Sequence, residues 1–409
     1  MHPPHMRLLR SAAVAALAAL LTVPAGAATA AADPVTGMDT GAPTVDESDF
    51  GGTAAGEERL TDLTLDAAHP RVEISHPGAP YVKVHFNSLR LAAGDRVTVA
   101  DPKGVEVHTY SADPTLGAAG AGDSSYTIHR TRGFAAMSVD GDTAVVTLHR
   151  AAGGKNGFAG LGARIDRYWR GFTEAEIAAR SIGTNAVCGT DARRDVVCYR
   201  TSHPTEFARS NAVARLLRNG SGFCTGWRVG RTNRALTNNH CVSTAAAVAS
   251  MEMQFEYQCA TCGGNNPGAG VKVSGAQMLR TSASLDYTLF SVNNFATVER
   301  FGTLFLDVRA AATGERIYIP GHGDARPKRL AIFDAAQSAP YCTVANPNRG
   351  VNIAYNCDTS GGNSGSPVLA TSSHRVIALH HLGSCPNNNQ GVKINLIYPE
   401  ISSMIDNTG

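Results

Sequence analysis

The sequence predicts an all-β protein in two parts, a small antiparallel β-sandwich or jelly roll followed by a larger domain of short strands. In residues 59–150, apolar and polar residues alternate with a period of two, as in Arg96-Val-Thr-Val99, and turn signals such as Asp140-Gly-Asp142 follow at short spacing. All nine Cys lie between Cys188 and Cys385. The two halves of the chain are therefore expected to be built differently, with a disulfide-free sandwich of roughly seven strands first.

The first 32 residues have the pattern of a secretory signal peptide. Arg7 and Arg10 precede an apolar run over residues 11–23, and small residues follow it. The run is shorter than the roughly 20 residues that a membrane-spanning helix needs. We therefore expect a secreted, extracellular protein without a membrane anchor, in a compartment where disulfides persist.

Two further segments are predicted to connect these parts. Residues 33–58 carry seven acids and no Lys or Arg, which indicates a flexible, solvated leader. Residues 151–187 are predicted to be a linker that begins Gly-rich and contains a short helix after the capping box Thr173-Glu-Ala-Glu176. Exposed basic residues there, such as Arg164 and Arg180, are expected sites of proteolysis.

The composition limits the classes of partner. The chain has 409 residues, of which 36 are basic and 34 acidic, for a formal charge of +2. A balance of charge this close disfavours a phosphate-binding surface, and hence nucleic acid as a partner. No motif for a nucleotide, metal or organic cofactor is present. We expect a monomer whose partners are proteins or peptides, with no cofactor and no membrane.

Three motifs in residues 188–409 point to acyl-transfer chemistry. The segment Gly362-Asn-Ser364-Gly-Ser-Pro367 has glycines on either side of a Ser, which permits a sharp turn whose N–H groups can hold an oxyanion. His240 follows a short apolar strand, and Asp286 begins another. These predict a triad in which Asp286 orients His240, His240 takes a proton and Ser364 attacks a carbonyl, with Gly362 and Ser364 as the oxyanion hole.

Together, these motifs resemble the secreted bacterial trypsin-like serine peptidases of the chymotrypsin fold. The matching segments are Thr237-Asn-Asn-His240-Cys241, Leu285-Asp286-Tyr-Thr-Leu289 and the turn around Ser364, in the order His, Asp, Ser. The resemblance covers about half the chain. It implies two six-stranded β-barrels, residues 188 to about 290 and about 291 to 409, with the triad in the cleft between them.

The Cys pattern resembles the lysyl endopeptidase group within this family. That resemblance implies a pairing of Cys188 with Cys385, Cys198 with Cys262 or Cys259, Cys224 with Cys241, and Cys342 with Cys357. One thiol of Cys259-Ala-Thr-Cys262 is then left over. This CxxC is also the spacing of half a zinc site, but the sequence contains no second CxxC, which disfavours a metal.

The specificity residues resemble those of the glutamyl endopeptidases. Thr359, five residues before the Ser, and His380 in the strand after it match that group, and a His with a Thr hydroxyl can bind a P1 carboxylate without a full opposite charge. The lysyl group uses an acid near the end of the domain, where residues 386–391 here have none. His380 departs from the glutamyl pattern in being followed by His381-Leu-Gly383. The resemblance therefore favours an acidic P1 weakly, and a structural role for His380 is the alternative.

Activation and catalysis each leave an alternative open. Asn363 stands where trypsin-type zymogens have an Asp that captures the freed N-terminus, so that switch is absent. Residues 33 to about 180 are then a released propeptide, as in a zymogen, or a retained accessory domain. The main hypothesis is an active serine endopeptidase. The alternatives are a non-catalytic binding protein with a peptidase-like fold, and an esterase that uses the same triad.

Overall fold

The computed structural model describes residues 54–113, 133–151, 161–180, 187, 189–218, 220–334 and 338–409. All of them belong to one compact unit that spans Gly37–Gly409. The predicted signal peptide, most of the acidic leader and Cys188 lie outside the described residues. No helix in the described ranges is long and apolar enough to cross a membrane.

In the described residues, the N-terminal half contains nine strands and one helix. They are β1 (Gly56–Leu65), β2 (Arg71–Ser75), β3 (Tyr81–Arg90), β4 (Arg96–Ala100), β5 (Val107–Tyr110), β6 (Phe134–Ala135), β7 (Val139–Asp140), β8 (Thr143–His149), β9 (Gly162–Gly171) and α1 (Glu174–Arg180).

These strands form two antiparallel sheets that pack into a sandwich. One sheet has the order β1-β9-β3-β6, with β7 also beside β3, and the other has the order β2-β8-β4-β5. Side chains that alternate along the strands meet between the sheets, including Val82, Val84 and Phe86 from the first and Val97 and Val146 from the second. The period-two pattern that predicted the sandwich is therefore the pattern that fills its core.

The predicted linker differs from the structure in one respect. Residues 162–171 form strand β9, which pairs with both β1 and β3. Ala163, Ile165 and Trp169 are buried in it, but charged residues such as Arg164 occupy most of the other positions. This charge hid the apolar alternation, and the basic residues expected as proteolysis sites lie partly within a paired strand. The short helix α1 is where the capping box places it, and Glu176 Oε2 accepts from Thr173 N at 2.7 Å.

The second half contains fourteen strands and four helices in the described residues. The strands are β10 (Arg194–Asp195), β11 (Val213–Arg218), β12 (Gly222–Arg228), β13 (Ala235–Thr237), β14 (Glu252–Phe255), β15 (Val271–Ser282), β16 (Tyr287–Val292), β17 (Ile317–Gly321), β18 (Arg329–Ala331), β19 (Val344–Arg349), β20 (Asn352–Tyr355), β21 (Pro367–Ala370), β22 (Val376–Leu382) and β23 (Asn389–Lys393). The helices are α2 (Pro204–Arg209), α3 (Ala245–Ser250), α4 (Phe295–Val298) and α5 (Ile394–Ile401).

The fold is the chymotrypsin-like one, with two β-bodies side by side. Strands β11-β12-β13-β16-β15-β14 close into a six-stranded barrel. The second body is an eight-stranded sheet in the order β10-β18-β17-β21-β22-β23-β20-β19, rather than the six strands expected. Isolated bridges join Arg316 to Thr343 and Phe333 to Tyr341, and these bridges bring the two ends of the sheet together. One buried core runs from Trp227 and Leu289 of the first body to Leu379 of the second.

Buried ion pairs join the sandwich to the first barrel. Lys83 of β3 bonds to Glu252 of β14, and each side chain is 1% exposed. Glu252 also accepts from Ser138 N at 2.8 Å and from Ser138 Oγ at 2.7 Å. Lys272 of β15 donates to Glu106 and Asp140 of the sandwich, both at 2.7 Å. Buried charges of this kind are tolerated only when they are paired, so the two parts are matched to each other.

Acidification tests this network through Glu252. Burial would raise the pKa of its carboxyl, but Lys83, Lys272 and the Ser138 hydrogen bonds outweigh burial and lower the pKa to about 2, from an ordinary 4.5. The resulting stabilisation, about 3 kcal/mol, is complete above pH 4.5 and is lost as the pH falls through 2. We expect the free energy of unfolding in urea to fall over this interval.

The variant Lys83→Met isolates the contribution of this pair. We expect it to lower the free energy of unfolding at pH 7 by about 3 kcal/mol and to flatten the acid dependence, because Glu252 loses its nearest cation. Lys103→Met removes an exposed lysine of the same sandwich and serves as the control. Equal acid slopes in the two variants would contradict the assignment.

Candidate active site

The pairing of two strands brings His240 and Asp286 together. Thr237 of β13 lies opposite Thr288 of β16 in an antiparallel pair, so the residues after one strand meet those before the other. His240 N donates to Asp286 Oδ1 at 2.9 Å, and His240 Nδ1 lies 2.8 Å from Asp286 Oδ2. Asp286 has a left-handed φ of 42°, and its carbonyl accepts from Asn238 Nδ2 at 2.8 Å. The imidazole is thus held at two points, with Nε2 left for substrate chemistry.

Asp286 carries a second imidazole. His381 Nδ1 lies 3.1 Å from the same Oδ2 that contacts His240. Burial alone would raise the pKa of Asp286, but the hydrogen bonds from His240 and His381 outweigh burial and hold the pKa well below its usual range. Asp286 therefore stays ionised, as a group that stabilises an imidazolium must.

The turn that carries Ser364 is built on two glycines. Gly362 has φ 95° and Gly365 has φ 86°, conformations that favour Gly. A Cβ on Gly362 would lie 1.8 Å from Phe223 Cε2, so the ring packs directly against this glycine. Within the described part of the chain, the N–H groups of Gly362 and Ser364 donate to no acceptor. Both are therefore available to an oxyanion.

Strand β12 fixes this turn beside His240. Thr225 N donates to Ser364 O at 2.9 Å, and Thr225 Oγ1 donates to Gly362 O at 2.9 Å. The disulfide Cys224–Cys241 ties the same strand to the residue after His240, and Cys241 Sγ lies 3.9 Å from Ser364 O.

Ser364 Oγ itself makes no hydrogen bond to any described residue, so the Ser–His bond is not formed in this state. Such bonds are often long or misaligned in free enzymes and tighten with substrate.

The two predicted specificity residues lie along the same turn. His380 N donates to Ser366 O, and Gly365 N donates to His380 O, both at 2.9 Å. His380 Nδ1 lies 2.6 Å from Tyr355 Oη. Burial, and then the charges of His381 and His240, lower the pKa of His380 to about 3, so the imidazole is neutral at pH 7. Thr359 is fully buried, and its Oγ1 has no partner among the described residues.

Arg193 was not predicted from the sequence, and its side chain contacts the loop that carries Ser364. Its guanidinium is 4% exposed and donates to Ser360 Oγ and, at 3.3 Å, to Asn363 Oδ1. It also contacts Asp191 at 2.9 Å and Asp324 at 3.1 Å. Asn363 Oδ1 in turn accepts from Ser360 N at 3.2 Å. An internal cation thus meets the loop at the position where a freed N-terminus would meet an Asp. Nothing in the sequence distinguishes Arg193 from the neighbouring Arg194.

Two other polar residues of the site were also missed. His381 follows His380 in sequence but contacts Asp286, whereas His380 contacts Tyr355. Asp358, directly before Thr359, is 1% exposed and accepts from Ala192 N at 2.8 Å.

The Cys pairs limit what else the site can hold. The structure contains Cys198–Cys262, Cys224–Cys241 and Cys342–Cys357, and Cys259 is free and buried. Cys385 is disulfide-bonded, and Cys188 lies outside the described residues. Ligand atoms of Cys224, His240 and Cys241 lie within 4.8 Å of one another. The two sulfurs are bonded to each other, however, so they are not thiolate ligands for a metal.

Arg193→Met tests whether Arg193 positions the Ser364 turn. Loss of the guanidinium frees Ser360 and Asn363, and we expect modification of Ser364 by a serine-directed phosphonate to slow by about 100-fold per folded molecule, because reacting groups misplaced by about 1 Å lose this much. Arg194→Met, next in sequence but without a contact to the loop, is the control. Equal rates in the two variants would show that Arg193 does not position the turn.

The chain is similar to several known proteins. A family model described as a trypsin-like peptidase domain matches residues 220–379. The Secreted RxLR effector protein 73 of Plasmopara viticola is 31% identical over 367 residues, which cover 84% of this chain and 85% of the effector. The Uncharacterized protein y4fB of Sinorhizobium fredii is 30% identical over 173 residues, 40% of this chain and 25% of that protein.

Among solved structures, a Glu endopeptidase in complex with MPD is 19% identical, with a TM-score of 0.40 over 53% of this chain and 97% of that one. The Rv3671c protease in an inactive form is 12% identical, with a TM-score of 0.38 over 53% of this chain and 98% of that one.

The alignment with the effector is longer than residues 188–409, so it extends into the N-terminal half of this chain. Because the effector is matched over most of its length, this chain belongs to the same family as that protein, and its residues 220–379 match a trypsin-like peptidase domain.

Proposed function

We propose that this protein is a secreted serine endopeptidase that cleaves proteins or peptides through an acyl-enzyme on Ser364. The proposal rests on the two contacts of Asp286 with His240, at the backbone N and at Nδ1. Beside them lies a turn in which the N–H groups of Gly362 and Ser364 donate to no described acceptor. Secretion is proposed from the signal-peptide pattern of residues 1–32 and is consistent with the disulfides.

The reaction follows from these groups. Ser364 Oγ attacks the scissile carbonyl while His240 Nε2 takes its proton, and the new oxyanion accepts hydrogen bonds from Gly362 N and Ser364 N. The C–N bond breaks, and the leaving amine takes the proton from His240. Water, deprotonated by His240, then attacks the acyl carbonyl, the C–O bond to Ser364 breaks, and His240 returns the proton to Ser364 Oγ. Ionised Asp286 stabilises the imidazolium in both steps.

The triad is tested by two substitutions. We expect Ser364→Ala to abolish labelling by a serine-directed phosphonate and peptide hydrolysis, and Asp286→Asn to lower kcat by about 10⁴-fold, since an amide cannot hold the same tautomer. Asp307→Asn, at a half-buried carboxylate of the same domain that pairs with Arg309 and not with the triad, serves as the control. Full activity in Asp286→Asn, or labelling away from Ser364, would reject the mechanism. Hydrolysis of esters but not peptides would favour the esterase alternative.

For the P1 residue we propose an acidic side chain, most simply Glu. The free Thr359 hydroxyl and a neutral His380 imidazole are donors that can bind a carboxylate. If Tyr355 donates to His380 Nδ1, the imidazole proton lies on Nε2. A second candidate is favoured by Asp358, whose buried carboxylate would repel an acidic P1 and attract Lys or Arg.

A P1-varied peptide library separates the two specificities. For an acidic P1, we expect Thr359→Val to lower kcat/KM for Glu peptides about tenfold or more, because a carboxylate oxygen loses its donor. Asp358→Asn should leave that reaction intact or improve it. Cleavage after Lys or Arg that Asp358→Asn abolishes would overturn the acidic assignment in favour of the basic one.

A further inference from the structure

Strand β12 links the Ser364 turn to the N-terminal sandwich. One face of the strand contacts the turn through Thr225, as described, and through Trp227 Nε1, which donates to Gly365 O at 3.0 Å. Phe223 packs against Gly362, where not even a Cβ would fit. A shift of this strand would therefore displace both amides that are proposed to hold the oxyanion.

The sandwich holds the turn that leads into β12. Tyr81 Oη donates to Gly220 O at 2.5 Å, and Ala55 N donates to Ser221 O at 2.5 Å. Gly220 has φ 76°, and a Cβ there would lie 2.4 Å from Trp169 Cγ. Two hydrogen bonds and one aromatic ring of the sandwich thus fix the β11–β12 turn from outside the barrel.

Phe223 is also buried by the sandwich. It belongs to an apolar cluster that draws on both parts of the chain, namely Ala55, Tyr81, Phe172 and Ile177 with Leu217, Phe223 and Ala325. Phe223 and Phe172 are each 1% exposed. Removal of residues 54–180 would expose the side of Phe223 that faces away from Gly362 and would take away the Lys83 and Ser138 partners of Glu252. Both effects oppose release of the sandwich.

We propose that the sandwich stays attached in the active enzyme and positions the Ser364 turn through Phe223, rather than acting as an inhibitory propeptide. This inference rests on the proposed function. None of the described hydrogen bonds of Ser364, His240 or His380 comes from residues 54–180, so the described sandwich does not bond to the site. Arg193 already supplies an internal cation to the loop, so no freed N-terminus is needed there.

Phe172→Leu tests the positioning role, with Phe134→Leu as the matched control. Phe134 is buried in the core of the sandwich, stacked on Phe86 with ring centroids 5.3 Å apart, away from the barrel. Both variants lose part of a buried ring, so both should unfold more easily. We expect only Phe172→Leu to slow phosphonate labelling of Ser364, by about tenfold per folded molecule.

A second pair removes a single hydroxyl from each place. Tyr81→Phe loses the bond to Gly220 O, whereas Tyr110→Phe loses a bond from Met137 N within the sandwich, at 2.7 Å. We expect Tyr81→Phe alone to raise the hydrogen-exchange rate of amides in residues 361–366. This readout needs no catalytic activity.

The outcomes separate this inference from the proposed function. Labelled secreted protein whose intact mass includes residues 54–180 supports the inference, as does an effect confined to Phe172→Leu and Tyr81→Phe. Labelled protein that begins near residue 187 and reacts faster than the longer chain would overturn it, as would equal rates and equal exchange in each matched pair. If the parent protein is never labelled, the proposed function fails, and the exchange comparison alone then decides whether the sandwich orders the turn.

Discussion

The contact between strand β12 and the Ser364 turn is the constraint on which the rest of the site depends. Thr225 N and Oγ1 bond the carbonyls of Ser364 and Gly362, and Phe223 lies against Gly362 with no room for a side chain. The next residue, Cys224, is tied to Cys241 and so to the His240 loop. One strand thereby fixes the nucleophile, the oxyanion donors and the base relative to one another. Preorganisation of this kind is what electrostatic catalysis requires.

Charge is arranged around the site so that few groups are free to change protonation state. Asp286 is held ionised by two imidazoles, and His380 is held neutral by burial. Arg193 lies below the turn between Asp191 and Asp324, whose contacts raise the pKa of a guanidinium that burial alone would lower. His240 remains the partly exposed group that contacts this charge network and faces the substrate side.

The sequence predicts the residues that carry out the chemistry better than it predicts the residues that hold them in place. The spacing of His240, Asp286 and Ser364 reflects backbone constraints, a strand end, a strand start and a Gly-bounded turn, and each leaves a local pattern. Arg193 and His381 act across the fold, and the sequence around them carries no signal that separates them from their neighbours. Strand β9 was missed because charged side chains pair along its outer face. The extra strands of the second sheet, β10 and β18, are only two and three residues long. Strands this short carry no period to read.

The contacts of the N-terminal half change the interpretation of its role. From sequence, a Cys-free sandwich before a Gly-rich linker fits a removable segment. In the structure, its buried Lys83 and Tyr81 are partnered by the barrel, so the interface resembles the interior of one domain. Sequence patterns describe how a sandwich fills its own core but not which of its outer faces the barrel covers.

A crystal structure of the intact protein bound to a peptidyl phosphonate tests the central claim most directly. We expect a covalent bond from phosphorus to Ser364 Oγ, with a phosphonyl oxygen within about 2.7–3.1 Å of both Gly362 N and Ser364 N. We also expect His240 Nε2 within hydrogen-bonding distance of the reacting oxygen, and Phe223 still packed between Gly362 and the sandwich. An unmodified Ser364, or an adduct whose oxygen turns away from both amides, would contradict the proposed mechanism.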